Sequence, residues 1–179
     1  MIKARLGLNR ETLAIVGPII ALLIWTLTIA FTYSSGESYR VKIVGYDPVD
    51  LLSGHYLRFR YDFGQTPICA NRPESATFCA CYSVNETNVI TSQESYLCDK
   101  AQKVCKNYIQ GVCRAGTFLT GSERYYFPEK YAPVLALVPE NSYAEVKVMS
   151  DGKIALQNIF VGESPILDYA EMSLAAPKP

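Results

Sequence analysis

The chain has 179 residues, 49% of them hydrophobic, and its 17 basic and 17 acidic side chains leave no formal net charge. That length suits one compact domain plus a segment that positions it. Setting aside residues 1–33 removes three basic residues (Lys3, Arg5, Arg10) and one acid (Glu11), so 14 basic residues face 16 acidic ones; nucleic acid is thereby excluded as a partner, because phosphate binding needs a basic field.

Residues 13–33 contain no charged side chain. As a helix they reach about 31 Å, matching the ~30 Å hydrocarbon core of a bilayer. Lys3, Arg5 and Arg10 precede the segment against the single acid Glu11, so the positive-inside rule predicts that residues 1–12 are cytoplasmic and the rest extracytoplasmic. A cleavable signal would carry an apolar run of only ~7–15 residues before a small-residue site. Here Thr28-Ile29-Ala30 lies inside the apolar run, so the segment reads as an uncleaved signal anchor. Pro18 is expected only to kink it.

Residues 34–38 read as a short polar linker and 39–179 as an extracytoplasmic β domain. Residues 39–46 alternate as a strand that stops at Asp47-Pro48. The turn-prone Ser53-Gly54 leads into residues 56–63, where Leu57, Phe59, Tyr61 and Phe63 share one face and Tyr56, Arg58, Arg60 and Asp62 share the other.

Residues 66–116 read as an insertion carrying all six cysteines, Cys69, Cys79, Cys81, Cys98, Cys105 and Cys113. An even count in an oxidising compartment implies three disulfides. Residues 93–109 are expected to form a helix with Leu97, Ala101, Val104 and Ile109 along one stripe, capped by Ser92 or Thr91 and ended by Gly111. Six cysteines allow fifteen pairings. A Cys79–Cys81 ring is strained, and on a helix Cys98 and Cys105 lie ~10.5 Å apart, beyond the ~7 Å reach of a bridge. Ten pairings remain, and the preferred one joins Cys69 to Cys113 and ties Cys79 and Cys81 to the helix.

Strands return at residues 124–127, 134–138 and 143–149, the last with Val146 and Val148 opposite Glu145 and Lys147. Ser150-Asp151-Gly152 is a hairpin signal, and residues 153–161 form its returning strand. The expected fold is mainly β: a single N-terminal transmembrane helix, then an antiparallel β domain with a disulfide-bonded, partly helical insertion.

Chemistry is sparse. His55 is the only histidine, and without a G-x-S-x-G element a hydrolase would have to combine it with a neighbour such as Ser53. No H-E-x-x-H or paired C-x-x-C predicts a metal, thiol redox chemistry lacks its C-x-x-C, and no cofactor is expected. A pilin-like subunit would need an acid five residues into the mature chain, whereas cleavage after Gly7 puts Glu11 fourth. Asn85-Glu86-Thr87 fits a glycosylation sequon, which acts only in a eukaryotic secretory setting. Tyr56, Arg58 and Arg60 form a candidate binding patch; the blander alternative is a solvated strand face whose arginine stems cover the tyrosine.

The run Asp50, Leu51, Leu52, Gly54, Tyr56 and Phe59 resembles the bacterial family named after its motif G-D-Y-x-x-L-x-x-x-Y, small membrane-anchored or exported proteins without an assigned activity. His55 stands at the motif aspartate, Phe59 at the leucine and Phe63 at the final tyrosine, so the acid is lost while the apolar and aromatic roles persist. Tyr126-Phe127-Pro128-Glu129 and Asp151-Gly152-Lys153 extend the resemblance. It implies a bacterial inner-membrane protein, single-pass, with a cytoplasmic N-terminus and a periplasmic domain. The expected function is non-enzymatic binding or support of another envelope protein, with an envelope hydrolase using His55 or a pilin-like subunit as alternatives.

Overall fold

A computed structural model describes residues 10–34, 36–45, 55–64, 68–70, 73 and 75–175, in two compact units, 1–36 and 37–179. The first holds helix α1 (Arg10–Ser34), which contains Pro18. Its stretch Ala14–Phe31 is long and apolar enough to cross a membrane, and none of that stretch is buried against protein. Side chains such as Leu22, Trp25 and Phe31 project outward around the helix, as suits an apolar solvent. Thr26 and Thr28 donate their hydroxyls to the carbonyls of Leu22 and Ile24 at 2.8 and 2.7 Å, so these polar groups are satisfied within the helix.

The second unit is mainly β and antiparallel. Its strands are β1 (Glu37–Gly45), β2 (Tyr56–Asp62), β3 (Thr77–Val84), β4 (Ile90–Leu97), β5 (Tyr108–Arg114), β6 (Thr117–Leu119), β7 (Arg124–Tyr126), β8 (Ser142–Val148), β9 (Ile154–Val161) and β10 (Ser164–Pro165), with helices α2 (Cys98–Val104) and α3 (Ile166–Ala175). Six strands form one sheet in the order β10-β9-β8-β1-β2-β7, and four form a second in the order β4-β3-β5-β6. Strict alternation places Ser142, Ala144, Val146 and Val148 of β8 inside, and Val41 and Ile43 of β1 beside them. The larger sheet curls until β7 approaches β9.

One hydrophobic core serves both sheets: Val41, Phe59 and Val146 from the first meet Phe78, Ile90 and Ile109 from the second. An aromatic series bridges them, with ring centroids 5.2 Å apart for Phe59–Tyr61, 5.8 Å for Tyr61–Phe63 and 6.0 Å for Phe63–Phe118. Backbone bonds join the same layers, Ser92 N–H donating to the Phe63 carbonyl at 2.7 Å and Gln110 N–H to the Gly152 carbonyl at 2.7 Å.

The insertion departs most from expectation. Of the helix expected over residues 93–109, only Cys98–Val104 is helical; β4 precedes it and β5 follows. The strand signal in β4 is hidden because an inward position is held by a polar residue: Ser92 is buried and its hydroxyl donates to the Cys81 carbonyl at 2.9 Å. Thus Ser92 is no cap, and Gly111 lies within β5. The expected apolar stripe also fails, since Leu97 and Val104 are 59% and 58% exposed while Ala101 is fully buried.

Since β4 and β5 are both antiparallel to β3, residues 98–107 must cross over β3 to connect them. Cys79 and Cys81, two apart on β3, point to the face that α2 crosses. Disulfides tie Cys79 to Cys98 at the start of the crossover and Cys81 to Cys105 just past the helix end. Cys69–Cys113, 44 residues apart in sequence, closes the insertion, a loop whose closure contributes about 4 kcal/mol in the chain-entropy model.

One other expectation fails, and one helix is new. Residues 134–138 form no strand: Tyr131 ends a short 3-10 turn (Glu129–Tyr131), its carbonyl accepts from Val134 and Leu135 N–H, and Pro133, with no N–H of its own, cannot donate to a ladder. Helix α3, not foreseen, packs through Ile166 and Ala170, one turn apart.

The Asp-Gly hairpin takes the three-residue form. Gly152 N–H donates to the Met149 carbonyl and Met149 N–H to the Lys153 carbonyl, both at 2.9 Å, and Gly152 is the loop residue with positive φ, +82°. A Cβ there would meet the Tyr108 ring at 2.5 Å, so only glycine lets this turn dock on β5. Gly152→Ala is expected to cost about 1–3 kcal/mol by urea unfolding, and an unchanged midpoint would refute the docking. Thiol titration checks the staples: Cys79→Ser/Cys98→Ser should expose no free thiol, Cys79→Ser/Cys105→Ser should expose two, and the reverse would mean swapped partners.

Candidate functional site

The site begins with the alternation of β2. Leu57, Phe59 and Tyr61 point into the core, as does Phe63 just beyond the strand, so Tyr56, Arg58, Arg60 and Asp62 project from the other face. Strand β7 pairs with β2 in the register Tyr56↔Tyr126, Leu57↔Tyr125 and Arg58↔Arg124. The ladder extends by one bond from Phe127 N–H to the His55 carbonyl at 3.2 Å. Two segments about seventy residues apart, each part of the family resemblance, are therefore adjacent strands.

This pairing adds Arg124 and Tyr126 to the expected patch. The Tyr56 and Tyr126 rings lie 5.7 Å apart between centroids, and the Arg124 guanidinium sits 5.2 Å from the centre of the Tyr56 ring. Tyr126 is 61% exposed. Arg58 and Arg124 stand directly opposite one another, a placement that costs stability between like charges, and the cation–π contact returns roughly 0.5–1 kcal/mol. On the β1 side, Arg60 stands opposite Val44 and Asp62 opposite Lys42. Strand 124–127 was foreseen from the sequence, but its partner was not, because nothing in a three-residue strand specifies which neighbour it joins.

A buried polar cluster fixes the start of β7. The Glu123 carboxylate, which is buried, accepts from the Thr120 hydroxyl at 2.8 Å and from Gly121 N–H at 3.0 Å, and it also accepts from Thr120 N–H. The Glu123 carbonyl takes Phe59 N–H at 3.3 Å, and the Tyr61 hydroxyl lies 2.9 Å from the Ser122 hydroxyl. Burial raises the Tyr61 phenol well above its ordinary value, the bond to Ser122 opposing only in part.

Next to Arg60 opens a cleft of about 240 Å³ lined by Val44, Arg60, Asp62, Phe63, Thr117 and Phe118, among others. The closing disulfide reaches it through Cys69.

Of the motif positions, Phe59 and Phe63 are core residues, and exposed His55 has its ring 6.3 Å from that of Phe127. Gly54, Ser53, Pro48 and the Asp50-Leu51-Leu52 run lie outside the described residues. All six cysteines are engaged in disulfides, and among the described residues no three His, Cys, Asp or Glu side chains converge as metal ligands.

Residues 18–159 match the family model described as GDYXXLXY protein. No curated protein and no solved structure matches the chain.

The buried phenol gives a pH prediction. Tyr61 keeps its proton in the folded state above pH ~10, where the unfolded chain ionises, so the folded state binds more protons there and stability falls as pH rises past about 10. Tyr61→Phe, although weaker at neutral pH by about 1 kcal/mol for the lost hydrogen bond, should lose less stability between pH ~9 and ~11.5. Parallel denaturation curves for the two proteins over that interval would refute this account.

Proposed function

The chain belongs to the GDYXXLXY protein family, and on that premise we propose that it is a non-enzymatic, single-pass anchored protein of the bacterial inner membrane whose periplasmic domain binds another envelope protein. Helix α1 is the anchor in this reading, with the N-terminus in the cytoplasm. The three disulfides support an oxidising compartment for the domain.

The observation that carries the binding role is the gathering of Arg58, Arg60 and Arg124 with Tyr56 and Tyr126 on one face of β2 and β7, in a part of the chain where acids outnumber bases 16 to 14. Arginine and tyrosine are the residue types that most often dominate binding energy at interfaces. Both strands are held from behind by core residues and by the Glu123 cluster, so the face is presented on a rigid support.

A photocrosslinking residue at position 126, in the full chain in its native membrane, is expected to give a discrete protein adduct, whereas the same residue at Lys103 on α2 gives none. Replacing Tyr56, Arg58 and Arg60 with Ser should abolish the adduct and move the thermal midpoint by less than about 4 °C, since partly exposed substitutions cost little. An absent adduct at 126, or one that survives the triple replacement, would overturn the reading.

A further inference from the structure

The cationic face and the neighbouring cleft are continuous through Arg60, which belongs to both. Resting on the reading of this face as a binding surface, we propose that it takes an extended acidic protein segment with the pattern acid-x-acid-x-aromatic, lying along β2. The acids face Arg58 and Arg60, with Arg124 beside them, and the aromatic side chain enters the cleft.

Three observations select this occupant. Side chains two apart on a strand repeat every ~6.6–6.8 Å, so an extended segment with acids at alternate positions meets Arg58 and Arg60 in step. A guanidinium carries five donors in a fork that fits carboxylate, which lets each arginine serve more than one acceptor. Beyond Arg60 the same line reaches the cleft, whose walls include Val44, Phe63, Ile68 and Phe118. At about 240 Å³ it is smaller than the ~300–1,000 Å³ typical of small-molecule pockets and suits a single side chain. Asp62 also lines the cleft, disfavouring an anion there and favouring an apolar ring. A purely anionic surface, such as a bilayer of acidic lipid, would match the arginines but leave the cleft and Asp62 without a counterpart.

The test uses the full chain in detergent micelles and a fluorescent peptide, Ser-Glu-Ser-Glu-Ser-Phe-Ser, followed by anisotropy. Saturable, salt-sensitive binding is expected, at least tenfold weaker for Arg58→Gln/Arg124→Gln and unchanged for Lys103→Gln. Should the double variant not fold, Arg60→Gln alone should weaken binding at least threefold. Val44→Asp, which sets a carboxylate at the cleft mouth, should weaken it as well, and replacing the peptide's Phe with Ser should lower affinity at least fivefold. No binding up to millimolar peptide, binding indifferent to the arginines or to the Phe, or arginine-dependent binding to phosphatidylglycerol vesicles that the peptide does not displace would each overturn the proposal. If position 126 still crosslinks to a protein while the peptide fails, only the acidic occupant is refuted and the binding face stands.

Discussion

Everything in the β unit depends on the inward and outward parity of β2. Leu57, Phe59, Tyr61 and Phe63 are each less than a tenth exposed, and burying a large apolar side chain is worth about 1.5–3 kcal/mol. A slip of one residue would exchange these four for Tyr56, Arg58, Arg60 and Asp62, placing two guanidiniums and a carboxylate in the core at a cost far above the stability of a typical domain. The strand is thus fixed by what it buries. Once it is fixed, β1 and β7 pair on either side, and the outward side chains of β2 are fixed with it.

The second constraint works where apolar content is too low to fix a register alone. The connection 98–107 carries the chain from one side of β3 to the other in fewer residues than the dozen or more usual for a crossover. Its short helix buries only Ala101 and could not hold its place by packing. The two bonds from β3, at Cys79 and Cys81, hold both ends of the crossover against the strand it passes. Pairing Cys79 with the first half-cystine and Cys81 with the second follows the geometry: Cys79 lies beside the end of β4 and Cys81 beside the start of β5.

These two constraints were not equally legible in the sequence. Alternation over Tyr56–Asp62 and Ser142–Val148 reads directly because apolar residues occupy every inward position or nearly so. In β4 the inward Ser92 breaks the alternation and satisfies its hydroxyl on a neighbouring strand, a partner that no local pattern reveals. The stretch that forms α3 has its two buried residues four apart, too few for a clear stripe. At residues 134–138 apolar content was real, but Leu135 is buried from a turn rather than a strand. Three of the five residues of the candidate face were readable, Tyr56, Arg58 and Arg60. The rest, Arg124 and Tyr126, depended on a long-range pairing. Its registry is supported by the partly buried Tyr125, whose hydroxyl donates to Asn158 on β9, and by the buried Glu123, held by Thr120 in its own loop.

In the proposed reading the resulting face is more than a by-product of solubility. A solvated strand face is satisfied by any polar residues, and mixed charges would serve it best, as Lys42 opposite Asp62 does further along the same sheet. At the β2–β7 junction the sequence instead places arginine opposite arginine and tyrosine opposite tyrosine. The first pair costs stability, while the second gains from ring contact across the strands but leaves the Tyr126 ring largely exposed to water. The Glu123 carboxylate accepts hydrogen bonds from Thr120 and Gly121 in its own loop, which fixes the start of β7. The arginines and tyrosines project together from the outer side of β2 and β7, the side that the proposed acidic segment would engage.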